Sequence, residues 1–206
     1  MTEVVTVGVG VCRVASDYLR NVEALLRRVD LDALERTVEI LRQARDHKAT
    51  IYVAGNGGSA ATASHLANDL GKATKAPGRP PMRVLSLSDN TSWLTALGND
   101  EGFDRVFSGQ LENFAEPDDV LIVISASGNS PNLVRAAEIA RSRRLRIVAL
   151  LGFDGGVLKE MVDESLVAWT AKGAYGPVES IHSVLCHVLI ACLNCADDMA
   201  AARSVE

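Results

Sequence analysis

Residues 120–141, VLIVISASGNSPNLVRAAEIAR, contain a strand, a loop and a helix in immediate succession. VLIVIS (120–125) is apolar up to its final serine, which is typical of a parallel strand buried on both faces. Small polar residues follow in SASGNS (125–130), and Pro131 stands in the first turn of the next helix, where proline is tolerated. This stretch predicts one strand–loop–helix unit of a parallel α/β sheet.

The same unit recurs on both sides of this stretch. Right-handed crossovers between parallel strands place helices on both faces of a sheet. We therefore predict an α/β fold, a three-layer, doubly wound sheet of about five parallel strands in the flavodoxin-like 2-1-3 order. The other predicted strands are TIYVA (50–54), RVLSLS (83–88), RIVALL (146–151) and the weaker SLVAW (165–169). The helices are predicted near 60–73, 90–97, 103–115, 131–143, 157–162 and 178–202.

Two further helices are predicted before the sheet. Apolar residues recur at three- and four-residue spacing from Val14 to Val29, and Asp30 can cap a second helix. Such a pair needs a partner surface, which a homo-oligomer would supply. The predicted organisation is a single domain over 1–206, with the helical pair at 11–47 and the α/β core and C-terminal helix at 48–206.

The composition is that of a globular protein with an acidic balance. Apolar residues make up 48% and charged residues 23% of the 206 residues, and the formal net charge is −5. This charge argues against a nucleic-acid surface, and no uninterrupted apolar run approaches the roughly 18 to 20 residues of a membrane span. The N-terminal run MTEVVTVGVGVCRVASDYLR lacks a preceding basic region, so no secretory signal is expected. We expect a cytoplasmic protein that binds neither nucleic acid nor membrane.

The four cysteines are expected to be buried, reduced thiols. Cys192 and Cys195 form CLNC inside an apolar helical segment. A redox CxxC normally follows a strand and opens a helix, and a structural zinc site would need a second pair or nearby histidines.

Two predicted strand ends carry loops that suit an anion. GNGGS (55–59) follows the first strand and SASGNS (125–130) the third, each directly before a helix. Small residues let the backbone approach an anion, and helix N-termini present free N–H groups, although each loop alone also fits a tight turn with serine as a helix cap. Neither loop has the spacing of a dinucleotide or Walker motif, which argues against a nicotinamide-dependent dehydrogenase. Because the two strands are neighbours in a 2-1-3 sheet, the loops together favour a shared phosphate site.

A second set of residues has the spacing of a metal or acid–base site. His65 and Asp69 stand at i, i+4 on the helix after GNGGS, while Glu179 and His187 lie on the final helix within about 80° of one direction. Two histidines with two carboxylates suit zinc or another first-row divalent ion. Spacing alone favours structural roles for these residues, such as solvated helix surface or, for Glu179, interaction with the helix N-terminus.

Three ordered segments of the chain resemble the SIS (sugar isomerase) family. They are GNGGSAATASHLANDL (55–70), SLSDNTSWLTALGNDEGF (86–103) and ISASGNSPNLVRAAEIAR (124–141). Within that family the chain is most similar to the phosphoheptose isomerases, which interconvert sedoheptulose 7-phosphate and D-glycero-D-manno-heptose 7-phosphate through an enediol. The resemblance covers roughly residues 15 to 195, and it implies an aldose–ketose isomerase that acts on a sugar phosphate as a homotetramer.

The resemblance also implies a role for each motif residue. Asp69 would be the catalytic base and His187 the acid. The implied metal ligands, with Zn²⁺ as the expected ion, are His65, Asp69, Glu179 and His187. The implied substrate-binding residues are Asn56, Gly57, Gly58, Ser59, Asp89, Asn90, Ser125, Ser127, Ser130 and Glu179.

Several positions depart from the family pattern. Asp69 stands where glutamate is usual, and its shorter side chain puts the reach for proton transfer in question. Glu179 replaces a glutamine, Ala126 often is a threonine, and YGPVESIH lacks an arginine before the glutamate. His182 is expected to be structural or to support the site from behind. These departures leave two alternatives open, an isomerase of another phosphosugar and a non-catalytic, regulatory SIS protein.

Overall fold

The computed structural model describes residues 7–203, with side chains over residues 10–195. Residues 1–6, part of the run on which the expectation about a secretory signal rests, lie outside this range. The strands are β1 (Thr50–Gly55), β2 (Arg83–Ser86), β3 (Val120–Ser125), β4 (Arg146–Phe153) and β5 (Glu164–Trp169). The α-helices are α1 (Val7–Leu26), α2 (Leu31–Asp46), α3 (Gly58–Lys72), α4 (Thr91–Asp100), α5 (Ser108–Phe114), α6 (Pro131–Ser142) and α7 (Tyr175–Arg203).

The strands form one parallel sheet in the order β2-β1-β3-β4-β5, with helices on both faces. Alternation along β3 explains the layers: Val120 and Ile122 pack with α2, α3 and α7, whereas Leu121 and Val123 pack with α5 and α6. Both sets are fully buried, which explains why apolar and polar residues do not alternate along this strand. The predicted three-layer, doubly wound α/β fold is confirmed.

Two predicted helices differ in their bounds and type. The segment predicted as a helix over 103–115 contains a 3₁₀ turn, Phe103–Arg105, followed by the short α5. The bend between them buries Val106 and Phe107 in the core. The segment predicted over 157–162 is a 3₁₀ turn, Val157–Glu160.

The N-terminal helical pair forms as predicted, and its two helices differ in burial. Asp30 caps α2, since its Oδ1 accepts a hydrogen bond of 2.9 Å from the backbone N–H of Ala33. The second half of α1 packs on the core through Val22 and Leu25. The first half leaves an apolar face in solvent, which consists of Val11, Val14, Tyr18 and Leu19.

Helix α7 is apolar enough, by length and composition, for its segment Tyr175–Cys195 to cross a membrane, with a mean hydropathy of 1.5. The search of the sequence for uninterrupted apolar runs did not find this segment, because polar residues interrupt it. The apolar face of α7 lies in the core of the domain. The buried residues on this face are Val178, Ile181, Leu185, Leu189 and Leu193.

The cysteines are free thiols, but the expectation that all are buried is wrong. Cys12 and Cys195 are exposed, Cys192 is half-buried and Cys186 is buried. Burial raises the pKa of the Cys186 thiol to about 12, so that this thiol stays protonated. Cys195 is exposed because it falls on the outward face of α7.

Candidate functional site

A cavity of about 170 Å³ lies at the carboxyl ends of β1 and β3, at the point where the order of the strands reverses. The two strands pair with Gly55 opposite Ile124, so the loop after each strand begins at the same edge of the sheet. The serine cavity, as we call it, is lined by Asn56, Ser59, Ile124, Ser125, Ala126, Ser127, Ser130, Leu133, Tyr175 and Glu179. All four predicted phosphate-binding serines therefore come together.

Helix α3 begins at the wall of the serine cavity. Gly57 precedes it with φ 55°, a left-handed conformation that favours glycine. A Cβ on Gly58 would lie 2.8 Å from both carboxylate oxygens of Glu179, so a larger residue there would displace this side chain from its position. The backbone of the loop thus favours glycine at position 57, and Gly58 lets the side chain of Glu179 approach α3.

The loop after β3 folds around the hydroxyls of its serines. The Oγ of Ser125 accepts a hydrogen bond of 3.0 Å from the backbone N–H of Gly128, and the Oγ of Ser127 accepts one of 3.3 Å from that of Asn129. Ser130 occupies the N-cap position of α6, yet its hydroxyl makes no cap hydrogen bond. The interpretation of Ser130 as a helix cap is therefore not supported, since its hydroxyl does not bond to the N-terminus of α6.

Sequence reasoning missed two residues that shape the cavity. The side chains of Asn56 and Asn132 exchange two amide hydrogen bonds, of 2.9 and 2.8 Å, and so hold the two loops together. Asn132 is 2% exposed and lies on the buried face of α6, where a polar residue in an apolar pattern was an available signal. Tyr175, in the first turn of α7, also lines the cavity, and no motif marks it.

The electrostatic character of the serine cavity comes from the backbone. Its lining residues include no lysine, arginine or histidine, and Glu179 is the charged one among them. Two helices, α3 and α6, begin at the cavity and direct the positive ends of their dipoles towards it. An anion is therefore attracted by hydroxyls and N–H groups rather than by a cationic side chain.

A cluster of His65, Asp69 and His187 lies where α3 and α7 pack together. The Oδ2 of Asp69 is 3.2 Å from Nε2 of His65 and 3.9 Å from Nε2 of His187, and the two Nε2 atoms are 3.5 Å apart. Metal–ligand distances of about 2.0 to 2.1 Å in a tetrahedral site imply ligand–ligand distances of roughly 3.3 Å. The three donor atoms therefore fit a tetrahedral divalent cation with one open position.

Glu179 does not belong to this cluster among the described residues, although it was predicted as a fourth metal ligand. Glu179 and His187 are eight residues apart on α7. Their side chains therefore project in similar directions from the helix, but they lie about 12 Å apart along its axis. The structure accordingly brings Glu179 to the serine cavity and His187 to the cluster.

Asp89 and Asn90 lie in the turn between β2 and α4, outside the lining of the serine cavity. Asp89 accepts hydrogen bonds from the hydroxyls of Ser64 and Ser86, so it ties α3, next to His65, to this strand. Asn90 caps α4, since its Oδ1 accepts a hydrogen bond of 3.1 Å from the backbone N–H of Trp93. Both residues are exposed.

His182 is completely buried behind the site, in the structural position expected for it. Its Nε2 lies 2.9 Å from the carbonyl oxygen of Leu151, while its Nδ1 has no partner among the described residues. Burial lowers the pKa of His182 from 6.5 to about 4, and the hydrogen bond to Leu151 opposes this effect only in part. The imidazole is therefore neutral in the folded protein near neutral pH.

The buried imidazole gives an expected pH dependence of stability. Between pH 6.5 and 4 the unfolded chain binds a proton at His182 that the folded protein does not bind. The free energy of unfolding should therefore fall as the pH falls through this range, by up to about 1.4 kcal/mol per pH unit. Urea unfolding across the range measures this slope. His182→Gln should reduce the slope, and His47→Gln, at an exposed histidine, should not; equal slopes in wild type and His182→Gln would contradict the assignment.

Comparison with known proteins gives consistent matches. The SIS domain family model matches residues 17–152. The phosphoheptose isomerase of Bordetella avium is 40% identical over 160 residues, which cover 77% of this chain and 80% of that protein. That of Helicobacter pylori strain P12 is 34% identical over 88% of this chain and 94% of its own length. The solved phosphoheptose isomerase of Neisseria gonorrhoeae superposes with a TM-score of 0.78 at 31% identity, over 88% of this chain and 97% of that one.

Proposed function

The chain belongs to the SIS domain family, among the phosphoheptose isomerases, and from this membership we propose that it is an aldose–ketose isomerase that interconverts sedoheptulose 7-phosphate and D-glycero-D-manno-heptose 7-phosphate. The observation that carries the proposal is the arrangement of two sites along α3 and α7. The serine cavity lies at the start of both helices, and the His–Asp–His cluster lies further along them.

The spacing of the two sites suits a seven-carbon sugar phosphate. Ser59 and His65 are six residues apart on α3, a rise of about 9 Å. The six carbon–carbon bonds of a heptose, about 1.5 Å each, span roughly 8 Å when extended. A phosphate held by the serines of the cavity then leaves C1 and C2 near the cluster. Ser59, Ser125, Ser127 and Ser130 bind the phosphate, while Asn56 and Glu179 contact the sugar hydroxyls.

The reaction moves one carbon-bound proton and one hydroxyl proton. In the direction from ketose to aldose, a carboxylate oxygen of Asp69 removes a proton from C1, and the same proton is returned to C2. Nε2 of His187 moves the second proton between O1 and O2, so that the enediol forms and collapses without a charge left on either oxygen. The distance of 3.9 Å between Nε2 of His187 and Oδ2 of Asp69 lets both groups reach neighbouring substrate atoms.

His65, Asp69 and His187 would hold a divalent cation, and Zn²⁺ is the ion that two imidazoles and a carboxylate favour. When bound, the cation supplies Lewis-acid polarisation of the substrate carbonyl. Nε2 of His187 cannot ligate the cation and carry a proton at the same time, so these two proposed roles are alternatives at that atom. Metal content therefore has to be measured together with turnover for every variant of the cluster.

The enzyme is proposed to be cytoplasmic and to assemble as a homotetramer in which α1 forms one of the interfaces. Val11, Val14 and Leu19 are each more than 60% exposed and form one apolar face. A face of this kind in water favours association with an identical face of a second copy. The exposed residues of this face then become buried in the assembly.

Turnover of sedoheptulose 7-phosphate by the purified protein tests the proposal. We expect the aldose 7-phosphate to form, and five- and six-carbon ketose phosphates to be converted at least tenfold less efficiently. Removal of metal by a chelator should lower turnover at least a hundredfold, and added Zn²⁺ should restore it. Preference for a shorter sugar would favour an isomerase of another phosphosugar, whereas binding without any conversion would favour a regulatory protein. Full turnover after complete metal removal would contradict the catalytic role of the ion, but it would not contradict the isomerase activity.

A further inference from the structure

A second cleft, of about 400 Å³, lies at the carboxyl ends of β4 and β5. The cleft lies away from the point where the order of the strands reverses, and its volume falls within the range of about 300 to 1,000 Å³ for small-molecule sites. Arg28, from the turn after α1, and Lys172, from the loop before α7, line the cleft with Asp154 and Trp169. The cleft is separate from the serine cavity, because the two share no lining residue.

The cleft carries the cationic side chains that the serine cavity lacks. Within the described part of the chain, Arg28 and Lys172 have neither an ion pair nor a side-chain hydrogen bond that would neutralise them. Asp154 is the one carboxylate that lines the cleft. Its Oδ1 accepts a hydrogen bond of 3.1 Å from the backbone N–H of Gly156, which leaves Oδ2 for another donor. Two free cations beside one carboxylate suit a ligand with both a phosphate and hydroxyl groups.

An exposed tryptophan supplies a flat surface in the same cleft. Trp169 is 41% exposed at the end of β5, and the Nζ of Lys159 lies 5.1 Å from the centre of its ring. Lys159 lies over one face of the indole, so a nucleobase would stack on the exposed remainder of the ring, a contact that contributes about 1 to 3 kcal/mol per base.

The backbone of the cleft wall is strained at a residue that is not glycine. Phe153 ends β4 with φ 54° and lines the cleft. Its ring makes an edge contact, with ring centres 5.1 Å apart, to Tyr175, which lines the serine cavity. Strain of this kind persists where the surrounding structure holds it, and it concentrates at ligand sites.

We propose that this cleft is a binding site for a purine nucleoside monophosphate, separate from the site of the isomerase reaction. The base stacks on Trp169, a ribose hydroxyl donates to Asp154, and the phosphate is bound by Arg28 and Lys172. The proposal does not depend on the proposed isomerase activity, since none of these residues lines the serine cavity or belongs to the His–Asp–His cluster.

Fluorescence of Trp169 tests the proposal directly. The chain has two tryptophans, and Trp93→Phe removes the other one while keeping its aromatic contact with Phe114. In this background adenosine monophosphate should quench the fluorescence saturably. Inorganic phosphate should give no quenching, and adenosine should bind at least tenfold more weakly. Isothermal titration calorimetry on the unsubstituted protein gives the same affinity without relying on the variant.

Substitutions in the cleft distinguish it from the serine cavity. The double variant Arg28→Ala, Lys172→Ala should weaken binding of adenosine monophosphate at least tenfold, and Lys75→Ala, a matched exposed cation elsewhere, should leave it unchanged. Saturating sedoheptulose 7-phosphate should not displace the nucleotide. The proposal is overturned if no saturable binding occurs, if the double variant binds as wild type, or if the sugar phosphate competes.

Discussion

Asp69→Asn is expected to lower kcat for sedoheptulose 7-phosphate by about 10² to 10⁴-fold, the contribution typical of a positioned acid or base. An amide has almost the shape of the carboxylate but cannot accept the proton from C1. The hydrogen-bonding surroundings of α3 stay in place, because Asp69 is only partly buried and projects from the helix surface towards His65. Turnover measured with metal content on the same preparation separates loss of the base from loss of the ion.

Two further variants sharpen this test. Asp100→Asn removes a carboxylate at the exposed end of α4 and should leave kcat unchanged. Asp69→Glu restores a carboxylate with one more methylene, the residue usual in the family, and should keep at least a tenth of wild-type turnover. If Asp69→Asn turned over within tenfold of wild type with its metal retained, Asp69 would not be the base.

Gly128→Ala is expected to lower the free energy of unfolding by about 2 to 5 kcal/mol and to raise KM for the sugar phosphate at least tenfold. Gly128 has φ 63°, which costs an L-residue about 1 to 2 kcal/mol. Its new Cβ would also lie 1.9 Å from the carbonyl oxygen of Gly155, so the backbone must move, at a further cost of about 1 to 3 kcal/mol. That movement disturbs the hydrogen bond from Gly128 to Ser125 and with it the loop that we propose binds the phosphate.

Gly78→Ala is the matched control for this prediction. Gly78 has φ 78°, but a Cβ there would meet no atom within 4 Å. The free energy of unfolding of the Gly78→Ala variant should therefore fall by only about 1 to 2 kcal/mol, the cost of the left-handed conformation. Its KM for the sugar phosphate should be unchanged. Urea unfolding and steady-state kinetics on both variants measure the difference. Equal losses of stability would mean that the close approach of Gly155 contributes nothing.

The sequence predicts well those elements that are determined by residues close together along the chain. Each central strand is an unbroken apolar run, and each loop that follows is rich in small polar residues, so the sheet and the meeting of Ser59 with Ser127 could be predicted from pattern and topology. His65 and Asp69 are one helical turn apart, which local spacing also reveals.

The parts that were missed depend on distances across the fold. The spacing of Glu179 and His187 indicated that both side chains project from a similar side of α7. The rise of the helix between them, however, places Glu179 at the serine cavity and His187 in the His–Asp–His cluster. Asn132 and Tyr175 carry no motif, since their roles arise only when α6 and α7 approach β1 and β4. The short β2 and the 3₁₀ turns likewise follow from tertiary packing rather than from local preference.

The reciprocal amide bonds between Asn56 and Asn132 join positions 76 residues apart along the chain. During synthesis on the ribosome, therefore, the first half of the protein can emerge, and α3 can form, while its ligand pocket still lacks one complete wall. Substrate cannot stabilise such a nascent chain, because stabilisation by mass action requires the finished binding site. Premature termination before α6 would consequently give fragments that no concentration of sugar phosphate rescues from degradation.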